Sequence, residues 1–302
     1  MLLSNPLASP FLPTLGVTFV SLFGASLLAL VFAARRRSQA LASSVLFQRW
    51  RTWIVIAPLF SLAALSGPLA LALFAAALAV QGSREYAHLA ALRRSDTVVL
   101  IAASIGLPLA CVALSFDQLP VLLIVLPLLA SLPALLQQDT QRGPQRLTTL
   151  LFGLWYVPLS LALLVLLDHD AHAGPGLVLA LALGVALSDV GAFTAGRLWG
   201  HTPLAPRLSP SKTWAGLIGN IAGAALGLVV LRPLAPEMPL LALVAVVAAG
   251  AVWGDLLESL LKRAAGAKDT GAWLPGFGGL LDRVDSLLVV LPLALVVVRV
   301  SA

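Results

Sequence analysis

The acidic residues near the end of the chain are spaced for chemistry. In Gly254-Asp255-Leu-Leu-Glu258-Ser259-Leu-Leu-Lys262-Arg263, a helix puts Asp255, Ser259 and Lys262 at i, i+4 and i+7 on one face, with Glu258 beside them. A helix end leaving a membrane explains Lys262 and Arg263 as interface anchors. It does not explain Asp255, about two turns further in. The next segment carries Lys268-Asp269, then Pro275-Gly276-Phe277-Gly278-Gly279, then Asp282-Arg283-Val284-Asp285. Its glycines leave the backbone nearly bare, so its N–H groups can approach a phosphate. Asp282 and Asp285 open the next helix on one face. The helix dipole alone favours one acid there. Two acids after a Gly-rich loop, facing a second acidic helix end, point to a divalent cation. Carboxylate oxygens suit Mg²⁺, which takes substrate phosphates as further ligands.

A second polar stretch runs Ser188-Asp189-Val-Gly191-Ala-Phe-Thr194-Ala-Gly196-Arg197, then Ser209-Pro210-Ser211-Lys212-Thr213-Trp214. Gly184, Ser188, Gly191 and Ala195 make a small-residue face of the kind that packs helices closely. Asp189 within it needs a partner. Ser209, Lys212 and Thr213 precede a helix and offer donors at its positive end, an anion-binding arrangement. An N-cap at Ser209 or Ser211 explains one of those serines equally well. Lys212 and Arg207 also read as charges flanking a membrane. His169 and His172 stand apart with Asp168 and Asp170 in what reads as a solvated loop.

These residues must be positioned by membrane helices. Of 302 residues, 60% are hydrophobic and 11% charged, with a mean hydropathy of +0.99. Soluble domains carry roughly 25% charged residues, so a soluble enzyme, a disordered tail and a disulfide scaffold are all excluded. The single cysteine, Cys111, excludes an intramolecular disulfide. Ten apolar spans are expected, at 11–34, 52–66, 68–81, 97–116, 119–137, 147–167, 176–199, 213–231, 239–261 and 284–301. The count falls to nine if 52–81 is a bent pair that does not fully cross. The class is an all-α polytopic membrane protein. The first span is followed, not preceded, by Arg35-Arg36-Arg37, so it does not read as a cleavable signal peptide. With the N-terminus outside, 17 of the 19 Lys and Arg fall on the inner side, and only Arg232 and Arg299 do not. The positive-inside rule then predicts both termini outside. Residues 1–146 read as an N-terminal transmembrane region. Residues 147–302 read as the catalytic region, with inner loops 200–212 and 262–283.

Acids at 189, 255, 269, 282 and 285 are interleaved on the inner face with cations at 197, 207, 212, 262, 263, 268 and 283. That pattern suits a metal-bound polyphosphate at the membrane interface, with a lipid and a soluble nucleotide as substrates. It favours phosphoryl or nucleotidyl transfer, where catalysis is positioning and charge neutralisation. A secondary transporter would instead place its charges near the bilayer midplane.

Over residues 147–302 the chain resembles the phosphatidate cytidylyltransferases, also called CDP-diacylglycerol synthases. Their terminal pattern is matched by Ser259, Lys262-Arg263, Lys268-Asp269, Pro275 to Gly279 and Asp282-Arg283-Val284-Asp285 with spacing kept. Their upstream pattern is matched by Ser188 to Arg197 and Ser209 to Trp214. The resemblance implies transfer of a cytidylyl group from CTP to phosphatidic acid, giving CDP-diacylglycerol and pyrophosphate. It implies Mg²⁺ on Asp255, Asp282 and Asp285 and a second, monovalent cation such as K⁺. Asp255, Lys268, Asp269, Asp282 and Asp285 are then the catalytic set. Lys262, Arg263, Arg283 and Lys268 clamp phosphates. Asp189, Arg197, Ser209, Lys212, Thr213, Ser259, Gly278 and Gly279 complete the substrate contacts. The chain departs from the pattern twice, with Phe277 where the family has His and Ala215 where it has Glu. Phe277 raises the alternative of a paralogue acting on another acidic lipid, or acting weakly. The expected partners are CTP, phosphatidic acid or a related acidic lipid, and the membrane. A homodimer is admitted, and nucleic acid is not expected. The expected place is the bacterial inner membrane, with the site facing the cytoplasm.

Overall fold

A computed structural model gives the fold. It describes residues 3–36, 45–170, 173–267, 270–271 and 278–301, without the side chains of 32–36, 45, 46 and 49. Lys268, Asp269, Pro275, Gly276, Phe277 and His172 lie outside the described residues.

Where lipid offers no hydrogen bonds, an apolar run must satisfy its own backbone, and the helix does so within one segment. The helices are α1 (Leu12–Arg36), α2 (Val45–Leu65), α3 (Pro68–Leu89), α4 (Arg94–Cys111), α5 (Leu119–Leu136), α6 (Gly143–Leu154), α7 (Ser160–His169), α8 (Gly174–Trp199), α9 (Trp214–Val230), α10 (Leu240–Ala264) and α11 (Leu281–Ser301). A π turn at Trp155–Leu159 joins α6 and α7 into one rod, so the described residues form ten rods. Seven helical stretches are long and apolar enough to cross a membrane, and Trp50–Leu65 in α2 and all of α9 are shorter apolar helices. Val17, Val20, Ile124, Leu128, Leu241 and Val300 point outward, as lipid contact requires. The protein is an all-α polytopic integral membrane protein.

The 52–66 and 68–81 pair is two separate helices that turn at Ser66-Gly67, as the ten-span reading has it, and three details depart from expectation. The first is that α3 runs on to Leu89. Hydropathy ends the span at the polar residues 81–88. The helix continues because Gly82, Ser83, Glu85, Tyr86 and Ala87 are buried against its neighbours. The polar stretch after α8 is not a plain loop. It folds into a small antiparallel ribbon, β1 (Pro203–Ala205) with β2 (Ser209–Thr213). His169 is not in a solvated loop either. It closes α7, with Nδ1 2.6 Å from the Val165 carbonyl and Nε2 3.0 Å from the Leu114 carbonyl, while Asp168 beside it is buried.

Contacts between connections sort them into two ends. At one end Ser4 N–H donates to the Ser66 carbonyl at 2.9 Å, His169 meets Leu114, and Arg299 pairs with Asp117 at 2.6 Å. At the other end Arg93 pairs with Asp139 at 2.8 Å. There Arg146, itself buried, reaches Asp96 at 2.6 Å and Asp139 at 2.9 Å. Gln137 and Ser95 accept its remaining N–H groups. The Arg142 amide, then the Arg146 side chain, hold the Asp139 carboxyl below the usual carboxylate range. This network ties α4 to α6, whereas in the sequence Arg146 reads simply as one of the inner charges.

The small-residue face of α8 does what its composition predicts. A Cβ on Gly191 would overlap the Gly219 carbonyl, and one on Gly223 would overlap the Leu187 carbonyl. The backbones of α8 and α9 therefore touch. α10 and α11 approach in the same way, since a Cβ on Gly254 would overlap the Asp285 carbonyl. α10 also packs on α8 and α9, which joins the two close pairs and brings the acid-bearing ends of α8, α10 and α11 together.

Candidate active site

Asp282 anchors the site. It sits in the first turn of α11, buried, and both of its oxygens accept. Oδ2 takes hydrogen bonds from Thr270 N (3.1 Å), Thr270 Oγ1 (2.8 Å) and Gly279 N (2.9 Å). Oδ1 takes the Lys262 ammonium at 2.7 Å. The same ammonium lies 2.8 Å from Glu258, one turn back on α10. Lys262 thus bridges the end of α10 to the start of α11. Asp285, one turn into α11, is buried beside them, and its Oδ1 accepts from Ser286 N at 2.8 Å. The Glu258 carboxyl lies in the field of both Asp285 and Asp282. Its Oε1 is buried without a partner among the described residues.

A second pole lies beside the first. Lys212, at the end of β2, pairs with Asp255 on α10. Burial holds the Lys212 ammonium below the usual lysine range, against the opposing pull of Asp285, Asp189 and Glu258. Asp189 on α8 lies in the field of Asp285, Lys212 and Arg283. Thr213, not Ser209 or Ser211, is the N-cap of α9, and its Oγ1 accepts from Gly216 N at 3.1 Å. Ser209 is buried in β2.

The expected residues are therefore mostly gathered, but not in one ring. Lys212 pairs with Asp255, Lys262 with Glu258 and Asp282, Asp285 is buried in the field of Lys212, and Asp189 is exposed on α8. Ser259 is half-buried on α10 beside them, and Arg263 and Arg283 are exposed at the rim. Arg197 is exposed and stands over the Phe193 ring at 5.9 Å. Gly278 has φ +86°, a conformation natural to glycine. Gly279 has no room for a side chain, because a Cβ would overlap Thr270 Oγ1 and stand 2.6 Å from Glu85 Oε2. Its amide is directed at Asp282 rather than left bare.

Glu85 is the residue the sequence reading passed over. From α3 in the first half it reaches the loop before α11 with both oxygens. Oε1 accepts from Leu280 N (2.9 Å) and Gln81 Nε2 (2.9 Å). Oε2 accepts from Leu281 N (2.8 Å) and Thr270 Oγ1 (3.3 Å). Its signal was helical phase. Ala75, Gly82 and Glu85 continue one face at i, i+7 and i+10 beyond the point where hydropathy falls.

The donors at both poles are carboxylate oxygens, which fit a hard cation such as Mg²⁺ in kind. The buried, partnerless Glu258 Oε1 marks a place where one more positive or donating group fits. In this structure the lysines hold most of the acids. Accordingly, among the described residues no three His, Cys, Asp or Glu side chains stand around one point at ligand spacing.

Fold and site together define a polytopic membrane protein with a buried, charge-compensated acid and lysine centre at one end of its helices. A family model described as the cytidylyltransferase family matches residues 47–301, and the chain belongs to that family. Similar proteins include the phosphatidate cytidylyltransferase of Mycobacterium leprae, 41% identical over 145 residues, covering 46% of this chain and 45% of that protein. The phosphatidate cytidylyltransferase of Brucella suis is 44% identical over 140 residues, covering 45% and 51%. That of Pseudomonas aeruginosa is 37% identical over 122 residues, covering 39% and 45%. The chain spans about half the length of the curated relatives it matches.

Proposed function

We propose that the protein transfers a cytidylyl group from CTP to phosphatidic acid, giving CDP-diacylglycerol and pyrophosphate. The observation that carries this reading is the Lys262 ammonium held between Glu258 and Asp282 where α10 meets α11. The family and the names of the relatives supply the substrate class. A phosphatidate oxygen attacks the α-phosphorus of CTP, the bond from that phosphorus to the bridging oxygen of the β-phosphate breaks, and pyrophosphate leaves. The attacking phosphate is already an anion, so no protein base is required.

The barrier is the approach of two anions and the charge on the leaving group. Lys262 and Lys212 lie where they can turn from their carboxylates to phosphate oxygens, and Arg263 and Arg283 stand at the rim to meet an acidic headgroup. Asp282 and Asp285, with Asp255 across the Lys212 contact, are the carboxylates that would hold Mg²⁺. Bound there, Mg²⁺ would neutralise the triphosphate and polarise the phosphorus under attack. The test is purified protein with labelled CTP, Mg²⁺ and vesicles containing phosphatidic acid. Labelled CDP-diacylglycerol and released pyrophosphate are expected. Absence of both, across a panel of acidic lipids, would refute the assignment.

We place this end of the molecule in the cytoplasm, because 17 of the 19 cations gather there. Cysteine introduced by Arg207→Cys in a Cys111-free background is expected to resist membrane-impermeant thiol reagents in intact cells. Cysteine introduced by Asp117→Cys, at the far end, is expected to label. The reverse pattern would invert the orientation.

A further inference from the structure

Of the 19 Lys and Arg, Arg232 and Arg299 stand apart from the inner-side charges. Arg232 closes its own turn by donating to the Met238 carbonyl. Arg299, in the last turn of α11, instead crosses to the short turn before α5. It pairs with Asp117 at 2.6 Å, and its guanidinium stands 4.7 Å from the centre of the Phe116 ring. α5 packs on α4 and α6, and α11 on α7 and α10, so this contact bridges two helices whose bodies lie against other partners. Snorkelling accounts for a cation at a helix end. It does not account for the cavity beside this one. That cavity has a volume of about 210 Å³ and is lined by Phe116, Asp117, His169, Asp170 and Arg299. Sites for drug-sized ligands run to about 300–1,000 Å³, so the space suits a small polar group. The His169 ring forms a fixed wall, since both its nitrogens lie against carbonyl oxygens.

The surface around the cavity is apolar. Leu293, Val296 and Val300 make an outward stripe on α11 that ends beside Arg299, and Val121, Ile124 and Leu128 make one on α5 that begins beside Asp117. The charges within are mixed. The Asp117 side chain is 88% exposed and that of Arg299 44%, so their pair contributes at most about 1 kcal/mol and opens readily. Arg299 gives Nη2 to Asp117, and a guanidinium carries five N–H donors in a fork that matches a phosphate. Asp117 and Asp170 would repel a phosphate arriving alone, but not one that brings its own ammonium. A primary ammonium donates N–H bonds to a carboxylate. A quaternary one seeks an aromatic face, and Arg299 already stands over the Phe116 ring.

We propose that this cavity binds the headgroup of a zwitterionic phospholipid with a primary ammonium, its phosphate on Arg299, its ammonium on Asp117 and its acyl chains along α5 and α11. The site lies at the end of the molecule opposite the acid and lysine centre and does not depend on the cytidylyl transfer.

The experiment is native mass spectrometry of the purified protein in detergent, titrated with phosphatidylethanolamine, phosphatidylglycerol or phosphatidylcholine of identical chains. The native protein is expected to retain one phosphatidylethanolamine more tightly than one phosphatidylcholine. Arg299→Gln is expected to weaken that retention about tenfold, the scale of one charge-assisted hydrogen bond. Asp117→Asn is expected to weaken phosphatidylethanolamine about tenfold and to leave phosphatidylglycerol unchanged or tighter, because it removes only the partner of the ammonium. Lipid-free Tm is expected to stay within about 2 °C in both variants, as for loss of an exposed pair. Should Arg299→Gln fail to extract folded, Asp117→Asn decides alone. Retention of phosphatidylethanolamine that neither variant changes overturns the proposal, and the pair is then only a link between helices. Equal weakening of phosphatidylethanolamine and phosphatidylglycerol by Asp117→Asn, or equal retention of phosphatidylcholine by the native protein, overturns it as well.

Discussion

Asp282→Asn is expected to reduce turnover at least a hundredfold while the protein still extracts and purifies as a folded membrane protein. Both carboxylate oxygens of Asp282 act only as acceptors: Lys262 at one, and the Thr270 and Gly279 donors at the other. An asparagine has one acceptor and one donor. Whichever way it turns, an N–H group faces another donor, and the lysine or the loop is released. Losing one partner of a buried charge pair costs about 3–5 kcal/mol. At about 1.36 kcal/mol per tenfold, that corresponds to a loss of roughly 10²–10⁴ if the pair is required in the transition state. The measurement is kcat/KM with CTP and phosphatidate beside a gel-filtration profile. Near-normal turnover with a normal profile would remove Asp282 from the machinery.

Glu85→Ala is expected to be nearly as damaging, although Glu85 belongs to α3 and to the half of the chain without the acidic motifs. The substitution strips the side-chain acceptor from Leu280 N and Leu281 N, both buried, while Thr270 Oγ1 keeps Asp282 as its acceptor. Each buried donor left unsatisfied costs about 1–3 kcal/mol. The loop before α11 then loses its attachment to α3, and Thr270 and Gly279 lose their alignment on Asp282. Turnover is expected to fall tenfold or more. Amide exchange at 278–281 is expected to accelerate while the rest of α11 stays protected. Glu85→Gln is expected to be milder, since the amide oxygen can still accept from one of the two backbone N–H groups. Unchanged exchange in Glu85→Ala would show that the loop is held by something else.

Much of the protein is legible in the residues alone. Runs such as Val121–Leu126 or Leu287–Leu291 admit only a helix in lipid, because their backbone has no other source of hydrogen bonds. The glycine and serine face of α8 announces its close partner, since only small side chains allow backbones to touch. The pairing of Asp282 and Asp285 on one face follows from helical period, and both are buried in the first two turns of α11 as that period requires.

What composition and spacing could not reveal is which charge meets which. Asp255, Ser259 and Lys262 share a face of α10, and from sequence they read as one group. In the fold Asp255 turns to Lys212 on β2, while Lys262 turns to Asp282 on α11. A side chain's partner depends on the neighbouring helix, and that in turn depends on how Gly254 lets α10 approach α11. The extension of α3 was hidden for a related reason. Hydropathy scores each residue by its transfer from water, and it ends a span at Gln81, Arg84 and Glu85. Tertiary contacts bury Glu85 because the amides of Leu280 and Leu281 offset the cost of desolvating it, and those amides lie almost 200 positions away in the chain. The residue types and local periods determined the class of protein, its helices and the end at which its chemistry gathers. Only the packing of α3, α10 and α11 decided how the acids and lysines pair, because electrostatic pairing follows distance in space rather than distance along the chain.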